Sequence, residues 1–270
     1  MKTETWACEE GSFAVHIEGS GPPLVLIHGI GPGTSVRANF QSMLPAITSE
    51  RTVYGIDLIG FGASPTKLVQ PFFDMSLWVA QTRAVLQRVA HEKLAIWGQS
   101  LGAAVALRAA SGGDYPVERI IGTGAGGGLS GLNDALSGFW SEPSSAEQLL
   151  NTMQVAVYDS TALSPEQIAA RYTSLVDGGR AQYFRDMMDT DRQALLATCR
   201  LSEEELSQVQ ADVLLIHGRE DQPVPYRESA LHLFDHLPRC KLVLLGRCGH
   251  NPMLEHSSDV LSLALNHLNT

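Results

Sequence analysis

The apolar positions along this chain follow two rhythms. Short unbroken runs, Pro23-Leu24-Val25-Leu26-Ile27, Leu94-Ala95-Ile96, Val213-Leu214-Leu215-Ile216 and Leu242-Val243-Leu244-Leu245, read as strands, and the first of them as a central strand buried on both faces. Thr52-Val53-Tyr54-Gly55-Ile56 and Val117–Thr123 add two more. Residues 4–8 and 12–18 form a hairpin pattern about Glu10-Gly11. Between the strands, apolar residues recur at helical spacing over 36–47, 75–91, 103–107, near 226–236 and over 257–268. From 129 to 200 the patterns are helical only, around 146–158, 165–176 and 180–198. Alternation that stops for helices and then resumes predicts an α/β architecture: a mostly parallel central sheet flanked by helices, with a helical lid inserted between its two halves. The expected division is a core of 1–128 and 202–270 and a lid of 129–201. Gly122–Gly128, the most flexible stretch by composition, marks the exit from the first half.

A length of 270 residues suits one such domain, and 44% hydrophobic residues suffice for its core. A net charge of −10 without a basic cluster argues against a nucleic-acid partner or an anionic membrane surface. No apolar run is long enough to span a bilayer. The first residues lack the apolar core of a signal peptide, so the cytoplasm is the expected compartment. Cys8, Cys199, Cys240 and Cys248 are scattered without C-x-x-C spacing, which predicts neither a disulfide framework nor a zinc site.

Candidate chemistry centres on Trp97-Gly98-Gln99-Ser100-Leu101-Gly102. It lies between a strand and a small-residue helix and has the G-x-S-x-G form of a nucleophile elbow. Glycines are needed there because strand and helix backbones approach without room for a Cβ. A serine N-cap on an ordinary helix would look similar, but other stretches weigh against it. Ser100 needs a base, usually histidine, oriented by a carboxylate. Ile216-His217-Gly218-Arg219-Glu220-Asp221 follows the first strand after the lid, and Gly246-Arg247-Cys248-Gly249-His250 follows the last strand. The order serine, acid, histidine is that of α/β-hydrolases. The oxyanion donors expected are the N–H of Leu101, just after the nucleophile, and that of Ile30 in the loop His28-Gly29-Ile30-Gly31. His28 reads as a brace for that loop, and His217 as a satisfied core histidine. His16, His91, His232, His236, His256 and His267 sit in helical or hairpin surface contexts without a role.

These segments, with His28-Gly29-Ile30-Gly31-Pro32-Gly33, Asn39-Phe40 and Asp57-Leu58-Ile59-Gly60-Phe61-Gly62, resemble the meta-cleavage-product hydrolases over nearly the whole chain. The lid segments Tyr158-Asp159-Ser160 and Ile168-Ala169-Ala170-Arg171-Tyr172 are similar to 2-hydroxymuconate semialdehyde hydrolases in particular. The resemblance implies an α/β-hydrolase fold and carbon–carbon bond hydrolysis of 2-hydroxy-6-oxo-dienoates, the ring-fission products of aromatic catabolism. It implies Ser100, Asp221 and His250 as the triad, with Glu220 the alternative acid. Asn39 and Arg171 match positions that bind the carboxylated dienoate end. The charge and planar fork of Arg171 independently suit a carboxylate, although a solvated helix arginine would have the same sequence. Gly31, Cys248 and Asn251 join the expected substrate-binding set, while the residues alone read Cys248 as a small buried packer.

The resemblance implies no metal or organic cofactor, and members of the family often form homodimers. Two positions depart from the family pattern. Asn251 stands where tryptophan commonly lines the substrate cavity, and Gln99 stands where asparagine often precedes the nucleophile. Both leave open a carboxylesterase or other acyl hydrolase with the same triad. A non-catalytic ligand-binding protein on this fold is a third reading, disfavoured by the complete serine, acid and histidine set. Dehalogenases and epoxide hydrolases are disfavoured because their elbow nucleophile would be aspartate.

Overall fold

The computed structural model describes residues 1–89 and 94–270, so His91 and the end of the helix expected over 75–91 lie outside the described residues. β1 (Lys2–Cys8) and β2 (Gly11–Glu18) form the antiparallel hairpin. They are followed by β3 (Pro23–Ile27), β4 (Thr52–Ile56), β5 (Leu94–Gln99), β6 (Val117–Thr123), β7 (Asp212–Gly218) and β8 (Cys240–Leu245). Among the described residues these make one eight-stranded sheet in the order β1-β2-β4-β3-β5-β6-β7-β8. The pairs β1–β2 and β2–β4 are antiparallel and the rest parallel, which matches the architecture expected from the sequence. Strand order reverses between β3 and β5, and Ile27 pairs with Gly98 there. Ligands of open α/β sheets bind at the carboxyl ends of the strands beside such a reversal.

Each central strand sends alternate residues to opposite faces. Leu24, Leu26, Ala95, Trp97, Leu214 and Ile216 meet α1 (Val36–Phe40), α2 (Leu44–Ile47) and α13 (Ser257–Asn269). Val25, Ile27, Leu94, Ile96, Val213 and Leu215 face the other way, into a larger cluster with α3 (Met75–Arg88) and α4 (Leu101–Ala110). Burial on both faces explains why these strands read as continuous apolar runs.

Between β6 and β7 stand α5 (Asp134–Phe139), α6 (Ala146–Gln154), α7 (Pro165–Val176), α8 (Arg180–Met188), α9 (Arg192–Cys199) and α10 (Glu203–Ser207). Leu136, Phe139, Trp140, Leu149, Met153 and Ile168 from this segment join the α3–α4 cluster. Two short helices, α11 (Ala230–His236) and α12 (Pro252–Glu255), flank β8. No helix among the described residues is long and apolar enough to cross a membrane.

Several local expectations differ from the structure. The helix expected over 36–47 is two helices, because Pro45 in the first turn of α2 cannot continue a helix from the preceding turn. The pattern over 180–198 is also two helices, since Asp191 accepts from the backbone N–H of Gln193 and Ala194 and caps a fresh start. The helix near 226–236 begins only at Ala230. Gly122–Gly128 is buried throughout rather than loose. Gly124 N–H donates to Ile216 O at 2.9 Å, Gly126 N–H to Ser100 O at 3.0 Å, and Leu201 N–H to Gly127 O at 2.8 Å. Its glycines permit close backbone approach: a Cβ on Gly124 would lie 2.6 Å from the His250 carbonyl oxygen.

Candidate active site

Ser100 stands between β5 and α4 with φ 55° and ψ −120°, a conformation that costs a non-glycine residue energy and that the surroundings must impose. They do so through backbone contact. A Cβ on Gly102 would lie 2.6 Å from His28 O, and one on Gly98 would lie 2.5 Å from the Ala103 Cα. The Ser100 N–H donates to Thr123 O at 2.9 Å. The turn is therefore gripped from β3, β6 and its own helix, and the hydroxyl is left facing the cavity.

His250 Nε2 lies 2.9 Å from Ser100 Oγ, and His250 Nδ1 lies 2.8 Å from Asp221 Oδ2. A carboxylate only accepts, so Nδ1 carries a hydrogen and Nε2 is left to take the serine proton. Asp221 is buried at the end of β7. Burial raises its carboxyl pKa, but the charge of His250 and hydrogen bonds from His217 and His250 outweigh that and hold it at about 2. Glu220 points elsewhere, accepting from Cys248 N–H at 3.1 Å and pairing with Arg219.

The loop after β3 closes the other side. His28 Nδ1 lies 2.6 Å from Gly29 O, and its Nε2 accepts from Leu58 N–H at 3.0 Å, so the imidazole ties two loops together. Ile30 and Leu101 border a cavity of about 30 Å³ shared with Ser100 and His250, whose far wall is apolar, with Leu136, Trp140 and Leu196. Leu101 opens α4, where a backbone N–H lacks an intrahelical acceptor.

A second chamber of about 30 Å³ also meets Ser100 and His250, walled by Asn39, Arg171, Met153 and Asn251. Those same four residues border a larger cavity of about 470 Å³ between α1 and α7, with Arg37 and Glu166 on its wall. The larger space therefore adjoins the reacting groups across Asn39 and Arg171. Arg171 Nε–H donates to Pro32 O at 2.8 Å. Burial lowers the guanidinium to about 10, which leaves it charged at neutral pH. Asn39 is partly engaged: its Oδ1 accepts from Gly29 N–H at 2.8 Å and its Nδ2 donates to Thr34 Oγ1 at 3.1 Å.

The structure thus brings Ser100, His250, Asp221, Ile30, Leu101, Asn39, Arg171 and Asn251 to one place. Gly31 lies just behind, where a Cβ would meet the Phe139 ring at 2.7 Å and Arg171 Nη2 at 3.1 Å. Cys248 does not join them. It is fully buried, with its thiol 3.7 Å from Gly249 O and 4.0 Å from Glu255 Oε1, and burial pushes its pKa up. His16 is also not a bare surface residue, because its Nε2 lies 2.8 Å from Asp57 Oδ2.

Sequence reasoning named His217 and Gln99 without their contacts to the site, and it missed Phe139. His217 Nε2 lies 3.0 Å from Asp221 Oδ2, a contact signalled only by its place four residues before the acid. Gln99 Nε2–H donates to His250 O at 3.1 Å, and its buried Oε1 has no partner among the described residues. Phe139 stands edge-on to His250, 6.3 Å between ring centres, and nothing in its sequence context marked it.

Residues 22–257 match the family model for the alpha/beta hydrolase fold. The chain is 28% identical to a 2-hydroxy-6-oxo-2,4-heptadienoate hydrolase of Pseudomonas putida, across 92% of this chain and 90% of that protein. It is 29% identical to a 2-hydroxymuconate semialdehyde hydrolase of a Pseudomonas species, across 92% of this chain and 87% of that protein. A solved structure of a meta-cleavage product hydrolase from Pseudomonas fluorescens superposes with a TM-score of 0.91 at 28% identity, covering 98% of this chain and 97% of the other.

Proposed function

We propose that this chain, which belongs to the alpha/beta hydrolase fold family, is a serine hydrolase that cleaves a carbon–carbon bond in 2-hydroxy-6-oxo-dienoates. The observation that carries the reading is Arg171: a charged guanidinium lining the same chamber as Ser100, with no carboxylate paired to it among the described residues. A desolvated cation at a reaction site is stabilised by an anionic ligand, and a planar fork suits a carboxylate. The similarity to dienoate hydrolases over most of the chain supports the same substrate class.

In this reading Arg171 holds the C1 carboxylate, and the remaining Nδ2 hydrogen of Asn39 reaches the neighbouring C2 oxygen. His250 assists conversion of the dienol to its keto form, which makes the later leaving fragment an electron sink. Ser100 Oγ attacks the C6 carbonyl as its proton passes to His250 Nε2. The resulting oxyanion faces the N–H groups of Ile30 and Leu101. Collapse breaks the C5–C6 bond, whose electrons enter the unsaturated keto acid, and His250 returns the proton to that fragment. Water, deprotonated by His250, then releases the acyl group from Ser100. Asp221 holds the imidazole in the required tautomer throughout. The scheme uses no metal or organic cofactor.

Residues 129–201 act as the lid in this proposal. Their support is contact with the site: Arg171 on the Pro32 carbonyl, Phe139 against His250, and Ala156 O accepting from His250 N–H at 2.8 Å. An apolar cover excludes water and strengthens the polar contacts below it. The family likeness extends the proposal to a cytoplasmic homodimer, the assembly being checked by light scattering. The deciding experiment is loss of the yellow colour of ring-fission products, assayed beside p-nitrophenyl esters. Turnover of dienoates supports the proposal; ester hydrolysis without it would make the protein a carboxylesterase.

A further inference from the structure

Asp221 is served by two histidines. Its Oδ2 lies 2.8 Å from His250 Nδ1 and 3.0 Å from His217 Nε2, while Oδ1 accepts from Val224 N–H at 2.8 Å. His217 sits near the end of β7 and is fully buried. Its Nε2 also lies 2.8 Å from Val224 O. Both neighbours of Nε2 are acceptors, so this nitrogen carries a hydrogen and is shared between them. The other ring nitrogen, Nδ1, is buried with no partner among the described residues. An apolar side chain of similar volume would remove the unpartnered Nδ1 but would also take the donor from Val224 O. What distinguishes histidine here is an N–H that donates to Val224 O while standing 3.0 Å from Asp221 Oδ2.

We propose that His217 is a positioning residue for the triad, fixing Asp221 so that Oδ2 faces His250 and sharing that oxygen's charge. The inference rests on the serine–histidine–aspartate reading above and not on the dienoate substrate. The His250 hydrogen bond and the His217 N–H held 3.0 Å away by Val224 O together bias the orientation of Oδ2 and spread its charge. With His217 removed, Oδ2 becomes a stronger acceptor for His250 Nδ1–H, which favours the imidazolium. Among the described residues, Ser100 contacts His250 from the elbow, and Cys248, in the loop after β8, feels the charge of Asp221 without bonding to it. Glu220 and Glu255 accept from the backbone N–H groups of Cys248 and Gly249.

The test compares His217→Leu with His217→Gln. Leucine removes the donor, whereas the glutamine amide nitrogen falls near the position of Nε2. Kinetics are taken with whichever substrate class the protein turns over. In His217→Leu, kcat should fall roughly 10-fold, a fraction of the acid's own contribution, with KM nearly unchanged. The acidic limb of kcat/KM should move up by about half a pH unit. His217→Gln should recover most of both changes. A folded leucine variant with wild-type kcat and an unmoved limb would overturn the proposal, as would a glutamine variant no better than leucine. Should either variant fail to fold, ¹⁵N NMR of the histidine-labelled wild type decides, because His217 Nε2 must carry hydrogen across the active pH range. An unprotonated Nε2 overturns this proposal alone, whereas absence of turnover on dienoates and esters alike overturns the proposed function.

Discussion

The side chain of Arg171 joins helix α7 to the loop after β3 through one hydrogen bond, Nε–H to the Pro32 carbonyl at 2.8 Å. The bond holds the fork in the chamber shared with Ser100 and leaves its terminal nitrogens without a carboxylate among the described residues. The same side chain can thus secure the insertion over the site and supply the counter-charge for a substrate. These two roles separate experimentally.

Arg171→Gln removes the charge and the fork. For a dienoate, kcat/KM should fall about 30- to 1000-fold, the equivalent of roughly 2–4 kcal/mol for a charge-assisted contact in a partly dry site. Hydrolysis of a neutral p-nitrophenyl ester should stay within about a few-fold, since Ser100 and the oxyanion donors are untouched. Steady-state kinetics on both substrates decide. Equal losses would assign Arg171 to structure.

Ser100→Ala should lower turnover by about 10⁴-fold or more while keeping the fold, and His250→Ala and Asp221→Asn should also be severe, because the three groups act as a unit. Glu220→Gln should be mild, because Glu220 bonds Cys248 N–H and Arg219 rather than His250. Circular dichroism establishes folding and the kinetics rank the variants. A Glu220→Gln loss as deep as that of Asp221→Asn would move the acid by one residue.

Asp221 also links stability to pH. Its folded pKa of about 2 lies below the unfolded value of about 3.9. A depressed carboxylate stabilises the fold above its unfolded pKa, and that stability is lost as pH falls through the folded one. The contribution is on the order of 2–3 kcal/mol, present above about pH 4 and gone below about pH 2. Urea unfolding of wild type and Asp221→Asn should therefore show a stability gap at neutral pH that narrows as the solution is acidified through that window. A constant gap would contradict the depressed pKa.

How much could be read from the sequence depended on how local the cause is. Leu24–Ile27 and Val213–Ile216 were legible because a strand covered on both faces must be apolar throughout, and the structure buries every one of those residues. The elbow was legible because Gly98 is required by backbone approach within a few residues, although Gly102 answers to the distant His28 carbonyl. The breaks at Pro45 and Asp191 were written locally too, but apolar spacing on either side masked them. What periodicity could not supply was contact across the chain. His16 reaches Asp57 41 residues away, and Phe139 reaches His250 from an inserted helix. Gly122–Gly128 shows the same limit, because composition cannot distinguish glycines that loosen a chain from glycines that let backbones touch.

That distinction can be measured at two positions. A methyl group on Gly102 would sit 2.6 Å from the His28 carbonyl oxygen, on backbone held by the central sheet. Gly102→Ala should therefore cost at least about 3 kcal/mol or prevent folding, as overpacking against fixed backbone does. A methyl on Gly31 would meet instead the Phe139 ring at 2.7 Å and Arg171 Nη2 at 3.1 Å, both ends of side chains that can move. Gly31→Ala should remain folded, losing no more than about 1–2 kcal/mol. Its cost should appear in function, because moving the guanidinium by a fraction of an ångström misplaces the carboxylate end of the substrate. A loss of roughly 10-fold in kcat/KM for a dienoate, with a smaller loss for an ester, is the expected result. Urea midpoints read the first effect and kinetics on two substrates the second. A Gly31→Ala variant that unfolds like Gly102→Ala would show that Phe139 and Arg171 are held as rigidly as the backbone beneath them.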